Sequence, residues 1–284
     1  RAKFDEQNNI AWAKKMTSGG IKVLFGIESL KVHSKLCLVN RKENGEIVKY
    51  AHIGTGNFNE DTAKLYTDFA LFTKHVDISN EVDDVFKFIE QSYKRFQFDH
   101  LLISPLNMRK SLNKLIKTEI ENAKLGLPAK ITLKLNNLAD KRLIKKLYEA
   151  SNSGVQIKLI VRGICSLIPG VAELSENITI ISIVDRYLEH PRVMVFENNG
   201  EQKVFISSAD WMTRNIEDRV EVGVPIYDAA LKQQLIDILA IQFNDNVKAR
   251  IVDAKQSNQY VDAGSNKQIR SQHQIYNYIK ALEV

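Results

Sequence analysis

Two α/β domains related as a diverged repeat are the fold this sequence predicts, and three observations support it. Strand-like alternation and helix-like 3.6-residue periodicity succeed one another along both halves. A histidine followed two positions on by a cation occurs once in each half, His33 with Lys35 and His190 with Arg192. Each copy then passes an Asn-Gly pair, Asn44-Gly45 or Asn199-Gly200, and reaches a polar run, GTGNFN from Gly54 or SSADWM from Ser207. The registers agree: eleven residues separate Asn57 from Asp68, and eleven separate Asp210 from Glu221.

In chain order, the first half predicts a helix over 3–18, strands over 21–26, 34–40, 46–53 and 66–73, and a helix over 80–96. Asn-Gly supplies the positive φ that a two-residue hairpin turn demands, so 34–40 and 46–53 form a hairpin. Its arms run twelve residues either side of Gly45, against ten either side of Gly200 in the second copy. A difference of two per arm keeps every side chain on its own face, whereas a difference of one would invert them all. His33 and Lys35 therefore share a face, as do His190 and Arg192. The helix over 80–96 carries Val82, Val85, Phe86, Ile89 and Tyr93 on one stripe, with Ser79 or Asn80 as cap.

Periodicity breaks over 99–105, where Pro105 ends any preceding helix. That break divides the chain into a first domain, 1–100, and a second, 101–284. The second predicts a helix over 106–124, a strand over 130–136, a helix over 139–152 and a strand over 154–163. The second hairpin follows, then a strand from Arg219, a helix over 228–243 with Leu231, Leu235, Ile238 and Leu239 inward, and a last helix near 267–282. Gly154 to His190 spans 36 residues where Gly20 to His33 spans 13, which marks an insertion of the kind that shapes a substrate channel.

With 284 residues and 44% apolar content, the chain can bury a sizeable core. Forty basic against 34 acidic residues leave a net charge of +6, which favours an anionic partner. Two cysteines, Cys37 and Cys165 in strand-like contexts, exclude a disulfide framework and point to a reducing compartment. No apolar run approaches the length of a membrane span. The expected location is the cytoplasm, with membrane association left open. The chain opens within a polar amphipathic pattern without an initiator methionine and is expected to be a fragment.

Paired imidazoles beside cations suit phosphate chemistry. A neutral imidazole, with an ordinary pKa of about 6.5, attacks phosphorus, and the resulting phosphoramidate is reactive enough to pass the group on. The second histidine protonates a leaving oxygen or stabilises it electrostatically. Lys35, Arg162 and Arg192 would neutralise non-bridging oxygens, with Arg186 and Arg214 as further candidates. Gly54, Thr55 and Gly56 free the backbone to approach a phosphate, with Asn57 adding a donor; Ser207 and Ser208 occupy the matching stretch. Asp68 and Glu221 would orient the histidines or the cradle, or be half-buried strand carboxylates. His52 is a proton relay or a structural residue. His75, His100 and His273 are surface residues, Trp211 is core, and Tyr66 is core or a stacking face for a base.

The runs KYAHIGTGNFNEDTAKLYTDFALFT (49–73), ITLKLNNLADK (131–141), ISIVDRYLEHPRV (181–193) and SSADWMTRNIEDRVEV (207–222) resemble the bacterial polyphosphate kinase family. The resemblance covers the whole chain and matches the family's two C-terminal catalytic domains. It implies phospholipase-D-like α/β folds, the first truncated at its start. It also implies reversible transfer of the terminal phosphoryl group of ATP to inorganic polyphosphate, with Mg²⁺ accompanying the nucleotide. Position by position, His33 matches the phosphohistidine, His190 the second active-site histidine, Tyr66 the tyrosine at the base, and Arg162 an arginine at the phosphates. Lys3 stands where the family has a magnesium-associated arginine; lysine keeps the charge but loses the bidentate fork. The partners implied are ATP or ADP and polyphosphate, with no nucleic acid, and a homo-oligomer through the full-length chain.

Two alternatives remain open at this level. Hydrolytic phospholipase-D-like enzymes carry H-x-K-x-x-x-x-D, which requires aspartate at position 40; the chain has Asn40, and Glu197 in the second copy. A phosphodiesterase is thereby weakened. The other alternative is a catalytically incomplete fragment that only binds a polyanion.

Overall fold

The most apolar runs of the chain become the interior of one nine-stranded sheet, because a strand covered on both faces needs apolar side chains on both. The structure is a computed structural model that describes residues 6–262, 264 and 267–282. In the first half it contains α1 (Glu6–Ser18), β1 (Lys31–Val32), β2 (Lys35–Glu43), β3 (Glu46–Gly54), α2 (Glu60–Leu65), β4 (Tyr66–Thr67), β5 (Ala70–Thr73) and α3 (Val76–Glu90). The second half opens with β6 (Leu102–Ser104), α4 (Met108–Lys124), β7 (Lys130–Leu135), α5 (Lys141–Asn152), β8 (Gln156–Val161) and β9 (Ile178–Ile183). It continues with β10 (Leu188–Glu189), β11 (Arg192–Phe196), β12 (Lys203–Ser207), α6 (Thr213–Glu217), β13 (Arg219–Ile226), α7 (Ala229–Phe243), β14 (Ala249–Val252) and α8 (Ser271–Leu282).

The large sheet runs β1-β13-β12-β11-β7-β8-β9-β14, with β6 also on β13. Strands β7, β8 and β9 are parallel, whereas β11 is antiparallel to both β7 and β12. Helices α4 and α5 cover one face around Leu112, Ile116, Leu143 and Leu147. The other face is a shared core: Ala51, Ile53, Val82 and Val85 of the first half pack with Val193, Val195, Val220 and Leu235 of the second. Helix α5 starts where Asp140 accepts a hydrogen bond from the Leu143 N–H at 2.9 Å, a cap worth about 1 kcal/mol. The same carboxylate takes both Arg109 Nη atoms at 2.9 Å and so ties α4 to α5.

Both expected hairpins form, as the antiparallel pairs β2–β3 and β11–β12. Asn44 and Gly45 have φ of 49° and 91°, as a tight hairpin turn requires; the second turn widens into a short 3₁₀ segment that keeps positive φ at Asn199 and Gly200. Four expectations need correction. Residues 21–26 form no strand: Leu24 and Phe25 are exposed, and the position beside β13 is taken by β1, paired at Lys31↔Arg219 and Val32↔Val220. The strand over 66–73 is broken at Asp68-Phe69 because its ends serve different partners, β4 pairing with β10 and β5 with β3. Helix α3 begins four residues early and buries Ile78, Ser79, Val82, Val85 and Phe88, leaving Phe86 at the surface and Tyr93 beyond its end. In α7, Leu235, Ile238 and Leu239 are buried as expected, but Leu231 is 41% exposed in the first turn, where the sheet no longer covers it.

Candidate active site

His33 is carried to β13 by its own backbone. The N–H groups of His33 and Ser34 both donate to the Val220 carbonyl, at 2.9 and 3.0 Å, which brings the imidazole beside the next residue of that strand, Glu221. His33 Nδ1 lies 2.9 Å from Glu221 Oε2. That carboxylate is fully buried and also accepts from Ser208 Oγ at 2.5 Å and Asn215 Nδ2 at 2.6 Å. An ionised carboxylate only accepts, so Nδ1 carries the proton and Nε2 keeps its lone pair. Among the described residues nothing hydrogen-bonds that Nε2.

His190 repeats the pattern with the halves exchanged. Its Nδ1 lies 2.8 Å from Asp68 Oδ1, which also accepts from the buried Thr55 hydroxyl at 2.6 Å. The Thr55 hydroxyl in turn accepts the Phe69 N–H at 3.0 Å, as the Ser208 hydroxyl accepts the Val222 N–H at 3.1 Å. Each histidine is thus oriented by the acid of the opposite half, and each acid is held by a hydroxyl of its own half. The second Nε2 is engaged: Arg192 Nη1 lies 3.1 Å from it and also donates to the His190 carbonyl at 2.9 Å. Arg192 is in turn held by Asp210, Nε to Oδ1 at 3.2 Å.

The other cations close around this pair. Lys35 is 6% exposed and donates to the His33 carbonyl at 2.5 Å. Arg162 Nε donates to Asn136 Oδ1 and to the Glu189 carbonyl, both at 2.7 Å. The Tyr66 ring centroid stands 5.2 Å from that of His190, at an edge-tilted 52°. Tyr66, Asn57 and Asp68 line one cleft of about 280 Å³, with Phe58 and Thr62.

Burial first, and neighbouring cations second, lower the pKa of the basic groups here. Burial pushes the His33 pKa below 6.5; the Glu221 hydrogen bond and charge oppose the shift, and Lys35 and Arg192 add to it. Burial brings Lys35 down from 10.5 to about 8, with Glu221 opposing and Arg192 adding to the shift. Arg162 is lowered first by burial and then by Arg192. At Asp210 burial acts upward, but Arg192 and the Asn136 and Asn137 donors overcome it and hold the carboxyl below its usual range. Three cations, Lys35, Arg162 and Arg192, stand among three acids, Asp68, Glu221 and Asp210, and because each acid is already tied to a histidine or to Arg192, Lys35 and Arg162 keep donors for an incoming anion.

Of the residues read from sequence, His33, Lys35, Tyr66, Arg162, His190 and Arg192 converge, together with Asp68 and Glu221. Asn57 is exposed on the cleft rim, whereas its counterpart Asp210 is buried against Arg192. Lys3 lies outside the described residues. Arg186 stands over the Tyr187 ring and Arg214 is exposed on α6, neither with a contact to the centre among the described residues. His52 sits between Phe58 and Phe72, its centroid 5.0 and 4.9 Å from theirs, and lines the same cleft as Tyr66 and Asp68. Trp211 is core, as expected. His100 is tied to the Tyr227 hydroxyl at 2.6 Å, a partner that sequence did not suggest. Cys37 and Cys165 are both free thiols.

Sequence reasoning missed Thr55, Ser208 and Asn215 as holders of the acids, and it missed a second demand on Gly56. A Cβ on Gly56 would lie 2.2 Å from Asp68 Oδ2, so this glycine makes room for the acid. Gly56→Ala is therefore expected to cost about 1–3 kcal/mol of stability, the usual penalty of overpacking, seen as a lower midpoint of thermal unfolding. An unchanged midpoint would mean that Asp68 can move aside freely.

Fold and site together define a class: an α/β protein whose two halves each bring a histidine, a cation and an acid to one centre. The family model for polyphosphate kinase C-terminal domain 1 matches residues 1–95, and that for polyphosphate kinase C-terminal domain 2 matches residues 101–272. Polyphosphate kinase of Escherichia coli (strain K12) is 56% identical over 283 residues, covering 100% of this chain and 41% of the relative. That of Vibrio cholerae serotype O1 is 55% identical, with 100% and 40% covered. The crystal structure of polyphosphate kinase from Porphyromonas gingivalis superposes with a TM-score of 0.91 at 41% identity, over 97% of this chain and 43% of that one. The chain belongs to the polyphosphate kinase family. It spans about 41% of the length of the curated relatives it matches.

Proposed function

We propose that this chain is the catalytic region of an ATP:polyphosphate phosphotransferase working through a phosphohistidine. The observation that carries this reading is the asymmetry of the two imidazoles: His33 presents an unengaged Nε2 among Lys35, Arg192 and Glu221, while both nitrogens of His190 are held. Nε2 of His33 attacks the γ-phosphorus of ATP, and ADP departs with the bonding pair of the broken P–O bond. A terminal oxygen of polyphosphate then takes the phosphoryl group from Nε2, lengthening the chain by one unit, and the reverse sequence regenerates ATP. Arg192, Arg162 and Lys35 neutralise the non-bridging oxygens, and Tyr66 offers a face to the base. His190 assists as acid or electrostatic partner. In this reading residues 1–100 and 101–284 are two catalytic domains, and the full-length protein is cytoplasmic and self-associates. Among the described residues no helix is long and apolar enough to cross a membrane.

Magnesium would accompany the nucleotide and neutralise charge on its phosphates. Among the described residues no three of His, Cys, Asp and Glu gather to hold a metal, and Asp68 and Glu221 are each committed to a histidine and a hydroxyl. The acids of the centre therefore do not fit a protein-held Mg²⁺ among the described residues.

The test is to incubate the chain with Mg-ATP and short polyphosphate, measuring ADP, inorganic phosphate and chain length together. Equal yields of ADP and added phosphate units support transfer. Release of phosphate to water without chain growth would favour the phosphodiesterase class, and binding without either product would leave a polyanion-binding fragment. The pH profile gives a second check. Lys35 binds phosphate only while charged, so kcat/KM for the phosphoryl donor should fall as pH rises through about 8. His33 attacks only while neutral, so the acid limb should lie below pH 6.5. Lys35→Arg should remove the alkaline limb near 8, and its persistence there would exclude Lys35 as the titrating group.

A further inference from the structure

The run that delivers His190 is gripped from the far end of the chain. Arg270 donates to Asp185 through Nε at 2.8 Å and Nη2 at 2.5 Å. Gln272 accepts from the Tyr187 N–H at 3.1 Å, donates to the Tyr187 carbonyl at 2.8 Å, and donates to Glu189 Oε1 at 2.7 Å. The partners are alternate residues, 185, 187 and 189, of the run that ends in His190. Between the two gripping residues, Ser271 gives its N–H and its hydroxyl to Asp245 Oδ2 at 2.7 and 2.6 Å, which fixes the start of α8 to the turn after α7.

The last residues of the run are also held from the sheet side, by Thr67 at the Leu188 carbonyl, Arg162 at the Glu189 carbonyl and Asn136 and Arg192 at the His190 carbonyl, whereas Asp185 and Tyr187 are held by Arg270 and Gln272. Strand β10 is two residues long and pairs only at Leu188↔Tyr66 and Glu189↔Thr67, a ladder too short to be stable alone. Yet that pairing sets Tyr66 and Asp68 against His190. Glu189 is buried, and its other oxygen accepts from Lys134 Nζ and Gln242 Nε2, both at 2.7 Å. A buried ion pair holds its geometry only when its remaining lone pairs are satisfied, and Gln272 supplies the donor for Oε1.

We propose that Arg270 and Gln272 are positioning residues, a clasp at the start of the C-terminal helix that holds 185–189 and so seats His190 against Asp68 and Tyr66. Its bearing on turnover rests on the phosphotransfer reading above; the clasp itself does not. The hydroxyl-and-acid set of His33 makes no contact with it, so loosening the clasp should disturb one imidazole and spare the other.

The experiment follows solvent exchange of the two imidazole Nδ1–H protons by NMR in the unliganded chain. In Gln272→Leu and Arg270→Ala the His190 proton should exchange about tenfold faster or more, the scale of losing one charge-assisted hydrogen bond, with His33 unchanged. Arg270→Lys, which keeps the charge, should restore part of the protection. Tyr276→Ala, at an exposed position of the same helix, should change neither. Equal acceleration at both histidines, or no acceleration at His190 in the double variant Arg270→Ala/Gln272→Leu, would overturn the proposal. Should Gln272→Leu not fold, Arg270→Ala is read alone, since the Arg270 side chain is 31% exposed and leaves little void. No step of this test needs turnover, so a chain that never forms a phosphohistidine would sink the functional reading while leaving the clasp to be judged on its own.

Discussion

His33→Ala is expected to abolish an acid-labile phosphate adduct that the unaltered chain acquires from Mg-ATP and, separately, from polyphosphate. Loss of an attacking group lowers rates by about 10³–10⁶-fold, because the remaining cations can bind the donor but offer nothing to accept the phosphoryl group. Intact-protein mass spectrometry at neutral to alkaline pH preserves the phosphoramidate and reads the adduct directly. His190→Ala should keep an adduct, formed more slowly, since Nε2 of His33 and its Glu221 contact are untouched by that change. An adduct that survives His33→Ala and disappears in His190→Ala would exchange the two roles. No adduct in the unaltered chain under either donor would remove the claim that these residues alone suffice for transfer.

Glu221→Gln is expected to be the next most damaging change, slowing adduct formation by about 10²–10⁴-fold while the fold is retained. The isosteric amide keeps an acceptor for either Asn215 or Ser208, but it can turn its NH₂ toward His33 Nδ1. That donor would stabilise the tautomer with the proton on Nε2, and the nucleophilic lone pair would be lost. Asp68→Asn should weaken the Nδ1–H contact of His190, whose Nε2 still faces the donor-only Arg192 Nη1, and leave the His33 tautomer alone. Imidazole ¹⁵N shifts separate the two outcomes, because each variant disturbs one histidine alone. Should Asp68→Asn alter His33 and Glu221→Gln alter His190, the cross-pairing described above would be wrong.

The site was legible to a different depth at each level. Two histidine–cation pairs and two acids at equal spacing follow from reading the chain against itself, and the structure brings all of them together. The hairpins were legible because an Asn-Gly turn is a local demand on φ, met here at Asn44-Gly45 and again at Asn199-Gly200. Helices α5 and α7 begin within two residues of the expected 139 and 228 and end at the expected 152 and 243, and the structure caps each with an aspartate, Asp140 or Asp228. The strand over 21–26 failed for a non-local reason: alternation describes a segment able to pair, and the position on β13 went to Lys31-Val32. The glycines of GTGNFN were read as openings toward a ligand, and Gly54 and Gly56 line the cleft; spacing did not show that Gly56 also makes room for Asp68, twelve residues away.

By itself the sequence determined the repeat, the residue types of the centre and the alternation of strand and helix, since each is written in spacing and composition along one dimension. Tertiary structure alone decided which acid serves which histidine. In each copy the histidine and the acid of the same half stand at comparable separations, so spacing could not tell an internal pair from an exchanged one. The exchange arises because β1 lies on β13 and β4 lies on β10, two-residue contacts that carry each histidine across to the other half. Such short ladders leave almost no periodic signal, yet they fix the position of a buried carboxylate to within a hydrogen bond.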